Sequence, residues 1–215
     1  MTARSTGSTE EDLQGLLRLA RTIDGLSRIL GIAATWMVLL AALVCALDAL
    51  LRYGLSWVLW MAGDGGNAGQ GFQWLFELYK SNSNTLRDLQ LVLFAGMVML
   101  GSAWTFKVNE HVRVDLLYTA VSDRARVWID LFGMILFLAP FCLLMIYFSW
   151  PWFMESWTGN ELSQNAGGLP RWPLKLFVPL GFALLLLQGV SEAIKCIACL
   201  AIGYRREHAY EKPVQ

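Results

Sequence analysis

Few residues in this chain have the type and spacing that chemistry needs. His111 and Asp115 stand four apart, so on a helix they share a face and the carboxylate can fix the imidazole. Glu110 and Arg113 lie beside them. A histidine among carboxylates suits a proton relay or a metal ion. The only other histidine is His208, far along the chain, so a multi-histidine metal site lacks ligands. A structural network that turns the chain is the better reading. Cys196 and Cys199 form a C-x-x-C pair, a spacing used in redox and metal sites. They lie in an apolar run with no further ligand nearby and read as small packing residues. Ser163 has no base within sequence reach, so it does not read as a nucleophile. Gly63, Gly65, Gly66 and Gly69 cluster like a phosphate loop. No soluble strand precedes them and no G-K-[ST] follows, which removes that reading. The sequence thus predicts no catalytic residue, no metal site and no cofactor.

The elements that would position such residues are membrane helices. Of the 215 residues 56% are hydrophobic and 16% charged, against about a quarter charged in soluble domains. The apolar residues gather in four runs: Ile29 to Leu51, Leu89 to Val108, Val127 to Trp150 and Leu174 to Ile202. About 20 residues cross a bilayer as a helix. Backbone groups cannot stay unpaired in lipid, so such runs must be helical. The expected fold is an all-α integral membrane protein with four transmembrane helices and short amphipathic interfacial helices. Residues 1–28 are a cytoplasmic N-terminal segment, 29–202 the membrane domain with a long outer connection at 52–88, and 203–215 a cytoplasmic tail. About 28 mixed polar residues precede the first run and no small-residue cleavage pattern follows it, so the run reads as an anchor rather than a cleaved signal. No basic block or zinc-finger spacing points to nucleic acid.

Lysine and arginine set the expected orientation. Arg4, Arg18, Arg21 and Arg28 precede helix one. Lys107, Arg113, Arg124 and Arg126 flank the second connection, and Lys195, Arg205, Arg206 and Lys212 lie toward the end. Only Arg52, Lys80, Arg87, Arg171 and Lys175 fall on the opposite side. Both termini are therefore expected in the cytoplasm. Trp57, Trp60, Trp104, Trp128, Trp150, Trp152 and Trp172 sit near run ends, where indole rings prefer the interface.

In the outer connection, Phe72, Leu75, Phe76 and Tyr79 recur at helical spacing. They predict a short amphipathic helix on the outer membrane surface or against a partner. Its Glu77 is a candidate for an intersubunit salt bridge. The third connection, residues 151–175, is expected to return as a short helix and turn. Pro140 and Pro179 lie inside runs three and four and predict kinks. Gly96, Gly101, Gly181 and Gly189 permit close helix approach. Asp48, Asp130 and Lys175 sit near run boundaries, and Glu192 and Lys195 mark the exit of an overlong fourth run. Gln188 is the polar residue placed to lie inside it. The other central stretches are apolar or small. A self-sufficient transporter keeps polar groups or broken helices at the midplane, and a haem anchor keeps histidines within its helices. The alternatives of an independent small transporter or an enzyme anchor subunit thus fit less well than a bundle packed on another membrane protein.

Several segments carry a resemblance: Arg52–Tyr53 closing helix one, WLFEL at 74–78, LFAGMVMLGSAWTFKVNEHVRVDLLY at 93–118, RVWIDLFG at 126–133, and the LP-x-W-P-x-K stretch into helix four. The HVRVD segment at 111–115 is the most specific. Together they resemble the small, DctQ-like membrane subunit of tripartite ATP-independent periplasmic (TRAP) transporters, closest to the branch named for mannitol or chloroaromatic compounds. The resemblance implies a four-helix, non-catalytic subunit that braces a large permease subunit. It also implies a periplasmic substrate-binding protein as partner, sodium-coupled import of an organic acid such as a 2-oxo acid or lactate, and a bacterial or archaeal inner membrane, with lipid around it. The family pattern would place its interface or structural positions at Arg52, Trp74, Glu77, His111, Arg113 and Asp115. The insert from Gly54 to Gln73 and the SNSN turn at 81–84 depart from that pattern.

Overall fold

The computed structural model describes residues 3–62, 67–108, 121–165 and 167–202. Helix α1 runs Ala3–Ala62 and α2 runs Asn67–Val108. Helix α3, Asp123–Gly133, passes through a π-helical turn, Met134–Leu138, into α4, Ala139–Thr158. Helix α5 runs Trp172–Ile202. Each of the four apolar runs lies within one of these rods. Among the described residues, four helices are long and apolar enough to cross a membrane.

Helix α5 is the centre of the bundle. The α1–α2 pair packs on one side of it and the α3–α4 rod on another. Three apolar clusters follow this plan. Leu17 and Ala20 of α1 meet Ile194 and Ala198 of α5. Ala34 of α1, Leu100 and Ala103 of α2 and Leu184 of α5 form the middle cluster. Val127, Leu131 and Met134 meet Cys196 on α5. The fully buried apolar positions are small: Ala20, Ala41, Ala103, Cys142, Cys196 and Ala198. Lipid tails are as apolar as leucine, so helices associate in membranes by close backbone approach rather than by hydrophobic burial. Alanine and cysteine permit that approach. The large apolar side chains face outward, among them Trp36, Leu43 and Leu50 on α1 and Phe132, Phe137 and Phe148 on the third rod.

Two expectations about the connections are corrected. Among the described residues, the stretch 52–88 holds no separate interfacial helix. Residues 52–62 continue α1, and residues 67–88 continue α2. Arg52 at the start of the first extension bonds to Tyr79 on the second. The third connection holds no short helix among its described residues beyond the end of α4. Helix α4 stops in a Schellman-type cap. Asn160 takes φ 45°, the Asn160 N–H donates to Trp157 O, and the Glu161 N–H donates to Ser156 O. This arrangement satisfies the last carbonyls of a helix. An antiparallel bridge between Leu162 and Pro170 then closes the turn, and Gly167 at φ 74° supplies the backbone reversal.

Pro140 lies two residues past the π-helical turn. The Ala139 N–H donates to Met134 O, five residues back. A proline ring clashes with the carbonyl four residues before it. A widened turn at that point gives the ring room. Pro179 stays inside α5 without interrupting its helical assignment.

Candidate functional site: two polar belts and a projecting helical pair

The polar residues of the bundle gather at two levels. At the first, α5 presents Gln188, Ser191, Glu192 and Lys195. Their spacing of three and four residues puts them on one face. That face meets Asp24 and Ser27 of α1. Lys195 Nζ lies 2.7 Å from both Asp24 Oδ2 and Glu192 Oε1. Ser27 Oγ donates to Gln188 Oε1 at 2.6 Å, and Gln188 Nε2 donates to Asp24 Oδ1 at 3.0 Å. Ser191 Oγ is 2.9 Å from Asp24 Oδ1 and 3.1 Å from Ala20 O. Gln188 and Ser191 are fully buried. An unpaired polar group at such a site costs several kcal/mol, on the order of 2–7. Here each side chain finds its partner within the network. The network also joins the first helix to the last, so the N-terminal part of α1 and the C-terminal part of α5 sit at one end of the bundle.

The second belt has two parts. Arg52 Nη2 lies 2.8 Å from Asp48 Oδ2, one helical turn earlier. The Tyr79 hydroxyl donates to Asp48 Oδ1 at 2.8 Å, and Arg52 Nε donates to the Tyr79 oxygen at 3.2 Å. This triad ties α1 to α2. Nearby, the turn after α4 is pinned to both neighbouring helices. The buried Lys175 of α5 donates to the Glu161 carboxylate and stands 4.7 Å from the centre of the Trp152 ring. The Lys175 ammonium, with Arg171 as a weaker contributor, holds the Glu161 carboxyl below the usual glutamate range. Asp88 Oδ2 accepts the Leu169 N–H at 3.0 Å, and Thr85 Oγ1 donates to Gly167 O at 2.6 Å.

The belts have the spacing of a bilayer. Lys175 to Glu192 on α5 spans about 26 Å, and Asp88 to Lys107 on α2 about 28 Å, at about 1.5 Å per residue. The hydrocarbon core is about 30 Å thick. Between the belts most described side chains are apolar or small. Gln90, just inside Asp88 on α2, is the exception, with a buried Nε2 that has no hydrogen-bond partner among the described residues.

Of the sequence-predicted positions, the structure brings Arg52 into the α1–α2 triad. Trp74 and Glu77 lie exposed on the outer part of α2. His111, Arg113 and Asp115 fall outside the described residues. Among the described residues, no group of three or more histidine, cysteine, aspartate or glutamate side chains is placed to hold a metal ion. Cys196 is buried in the α3–α5 contact and Cys199 packs at its edge, as small packing residues do. Sequence reasoning misses Tyr79 as a polar partner, because its spacing makes it part of an apolar face. It also misses Asp24 and Ser27, which precede the first apolar run. The i, i+3, i+4, i+7 spacing of Gln188, Ser191, Glu192 and Lys195 is the available signal for a buried face.

A family model described as "Tripartite ATP-independent periplasmic transporters, DctQ component" matches residues 76–199, more than half of the chain. The match covers most of α2, the third rod and nearly all of α5, and leaves out α1. No curated protein and no solved structure matches the chain.

Proposed function

The chain belongs to the DctQ component family of tripartite ATP-independent periplasmic transporters, and on that premise we propose that it is the non-catalytic scaffold subunit of a sodium-coupled importer. In this reading it packs against the large permease subunit and braces it, while a periplasmic binding protein delivers an organic acid. The complex sits in a bacterial or archaeal inner membrane, and both termini face the cytoplasm. The segment holding His111, Arg113 and Asp115 serves assembly rather than chemistry.

One observation carries the reading. The polar side chains of the two belts are engaged with each other, and the faces between the belts are apolar and outward. A subunit that moved substrate by itself would hold polar groups free at the midplane. A brace needs the opposite: a rigid frame and an apolar surface for a partner. Thermal unfolding in detergent tests this. The chain with its large subunit is expected to melt several degrees above the chain alone, because a ligand that binds only the folded form stabilises it. Equal melting temperatures would count against a bracing contact.

A further inference from the structure

Among the described residues, Arg28 on α1 and Lys107 on α2 are paired with no carboxylate. Asp24, one turn before Arg28, is already held by Lys195, Gln188 and Ser191. The antiparallel register sets the two cations side by side. Gly31 of α1 lies against Trp104 and Ala34 against Gly101. Three residues back from Gly31 is therefore level with three residues on from Trp104. Lys107 Nζ stands 5.1 Å from the centre of the Trp104 ring, and Arg28 is exposed. Both cations lie at the level of the first belt, where the hydrocarbon ends.

A groove of about 670 Å³ opens from this point toward the bilayer centre. It is lined by Gly31, Thr35 and Ala42 on α1 and by Met97, Gly101 and Trp104 on α2. Arg28 precedes Gly31 by three residues and Thr35 by seven, so it stands on the groove-lining face of α1. Trp104 is both a wall of the groove and the seat of Lys107. The threonines turn their hydroxyls to their own helices. Thr35 Oγ1 donates to Gly31 O and Thr105 Oγ1 to Gly101 O, each at 3.0 Å. From Gly31 to Ala42 the groove runs about 16 Å at about 1.5 Å per residue. Half of the hydrocarbon core is about 15 Å. The groove thus has the depth of one leaflet, apolar walls and two cations at its mouth.

We propose that this groove binds an anionic phospholipid of the leaflet on the first belt's side. The lipid phosphate sits between Arg28 and Lys107, and one acyl chain fills the groove from Trp104 to Ala42. A guanidinium takes phosphate oxygens in pairs, and an ammonium adds a point charge. Basic pockets between membrane helices bind anionic headgroups in this way. A helix of a partner protein fits less well, because it crosses the whole core whereas the groove lining ends about halfway. A free phosphate ion makes no use of the apolar walls. The inference needs the membrane helices but not the scaffold reading, so the two stand or fall separately.

The test is native mass spectrometry of the full chain, purified in mild detergent with the proteins that accompany it. It is titrated with phosphatidylglycerol or with phosphatidylcholine of the same chain length. The expected result is one phosphatidylglycerol bound at least about tenfold more tightly than phosphatidylcholine. Arg28→Gln with Lys107→Gln is expected to abolish that preference. Arg18→Gln with Arg124→Gln, the same loss of charge elsewhere, is expected to leave it. Thr35→Trp, which fills the groove, is expected to weaken both lipids. Equal affinity for the two lipids overturns the site, as does a preference that Arg28→Gln with Lys107→Gln or Thr35→Trp leaves unmoved. Equal loss in the Arg18→Gln, Arg124→Gln pair also overturns it. Inorganic phosphate that displaces the lipid at equal concentration would show an ion site and not a lipid site. Benzoylphenylalanine in place of Leu39, irradiated in the native membrane, identifies the occupant. A phospholipid adduct supports the proposal, and a protein adduct in its place overturns it.

Discussion

Lys195 is held between two carboxylates, Asp24 on another helix and Glu192 on its own. The arrangement is asymmetric, and that makes it testable. Lys195→Ala leaves two acids close together in a buried site with no cation, which costs about 3–5 kcal/mol. Asp24→Ala leaves the lysine with Glu192 and removes hydrogen bonds to one charged group, about 1.5–3 kcal/mol. In thermal unfolding of the detergent-solubilised protein, Lys195→Ala is expected to melt below Asp24→Ala. The reverse order would show that the ammonium is not the centre of the network. At this scale the sequence is half legible. Gln188, Glu192 and Lys195 stand out as polar breaks in an apolar run. Their partner Asp24 does not, because it lies in a polar segment where one acid looks like any other. Pairing across more than 160 residues is decided by tertiary packing, which no local pattern encodes. Arg52 is legible as a position but not as one corner of a triad, since Tyr79 reads as apolar surface.

The helices themselves are the most legible features, because length and apolarity alone demand them in lipid. Their ends are not. Glycines at 63–69 suggest a long loop, yet α1 continues to Ala62 and α2 starts at Asn67. The π-helical turn before Pro140 is likewise invisible, since a proline predicts a disturbance but not its form. The glycines permit a sharper expectation. A Cβ at Gly181 would stand 2.6 Å from Met99 Cβ and 3.1 Å from its Cα, so α2 and α5 are in near-backbone contact there. At Gly101 the nearest atom is Ala34 Cβ at 3.6 Å, an ordinary contact. Gly181→Ala is expected to cost about 1–3 kcal/mol through overpacking. Gly101→Ala should be close to neutral. Equal effects of the two in thermal unfolding would contradict the close approach of α2 to α5 at Gly181.

The molecule as a whole is a frame. Helix α5 runs through the centre, α1 and α2 flank it, and the α3–α4 rod packs on its other side. The first belt fastens α1 to the distant α5, the second ties α1 to α2 and anchors the turn after α4, and the surface between the belts is mostly apolar. That pattern is legible in outline from the four runs and their polar breaks. The central place of α5 is not, because an amphipathic face does not name its neighbour. In the scaffold reading this apolar surface is the seat of a larger membrane partner. The most direct measurement is a mild-detergent pull-down of the tagged chain from its native membrane, with the stoichiometry of what comes with it. The predicted result is one multi-helix permease recovered in fixed proportion to the chain. Recovery of the chain alone as a stable oligomer would contradict it.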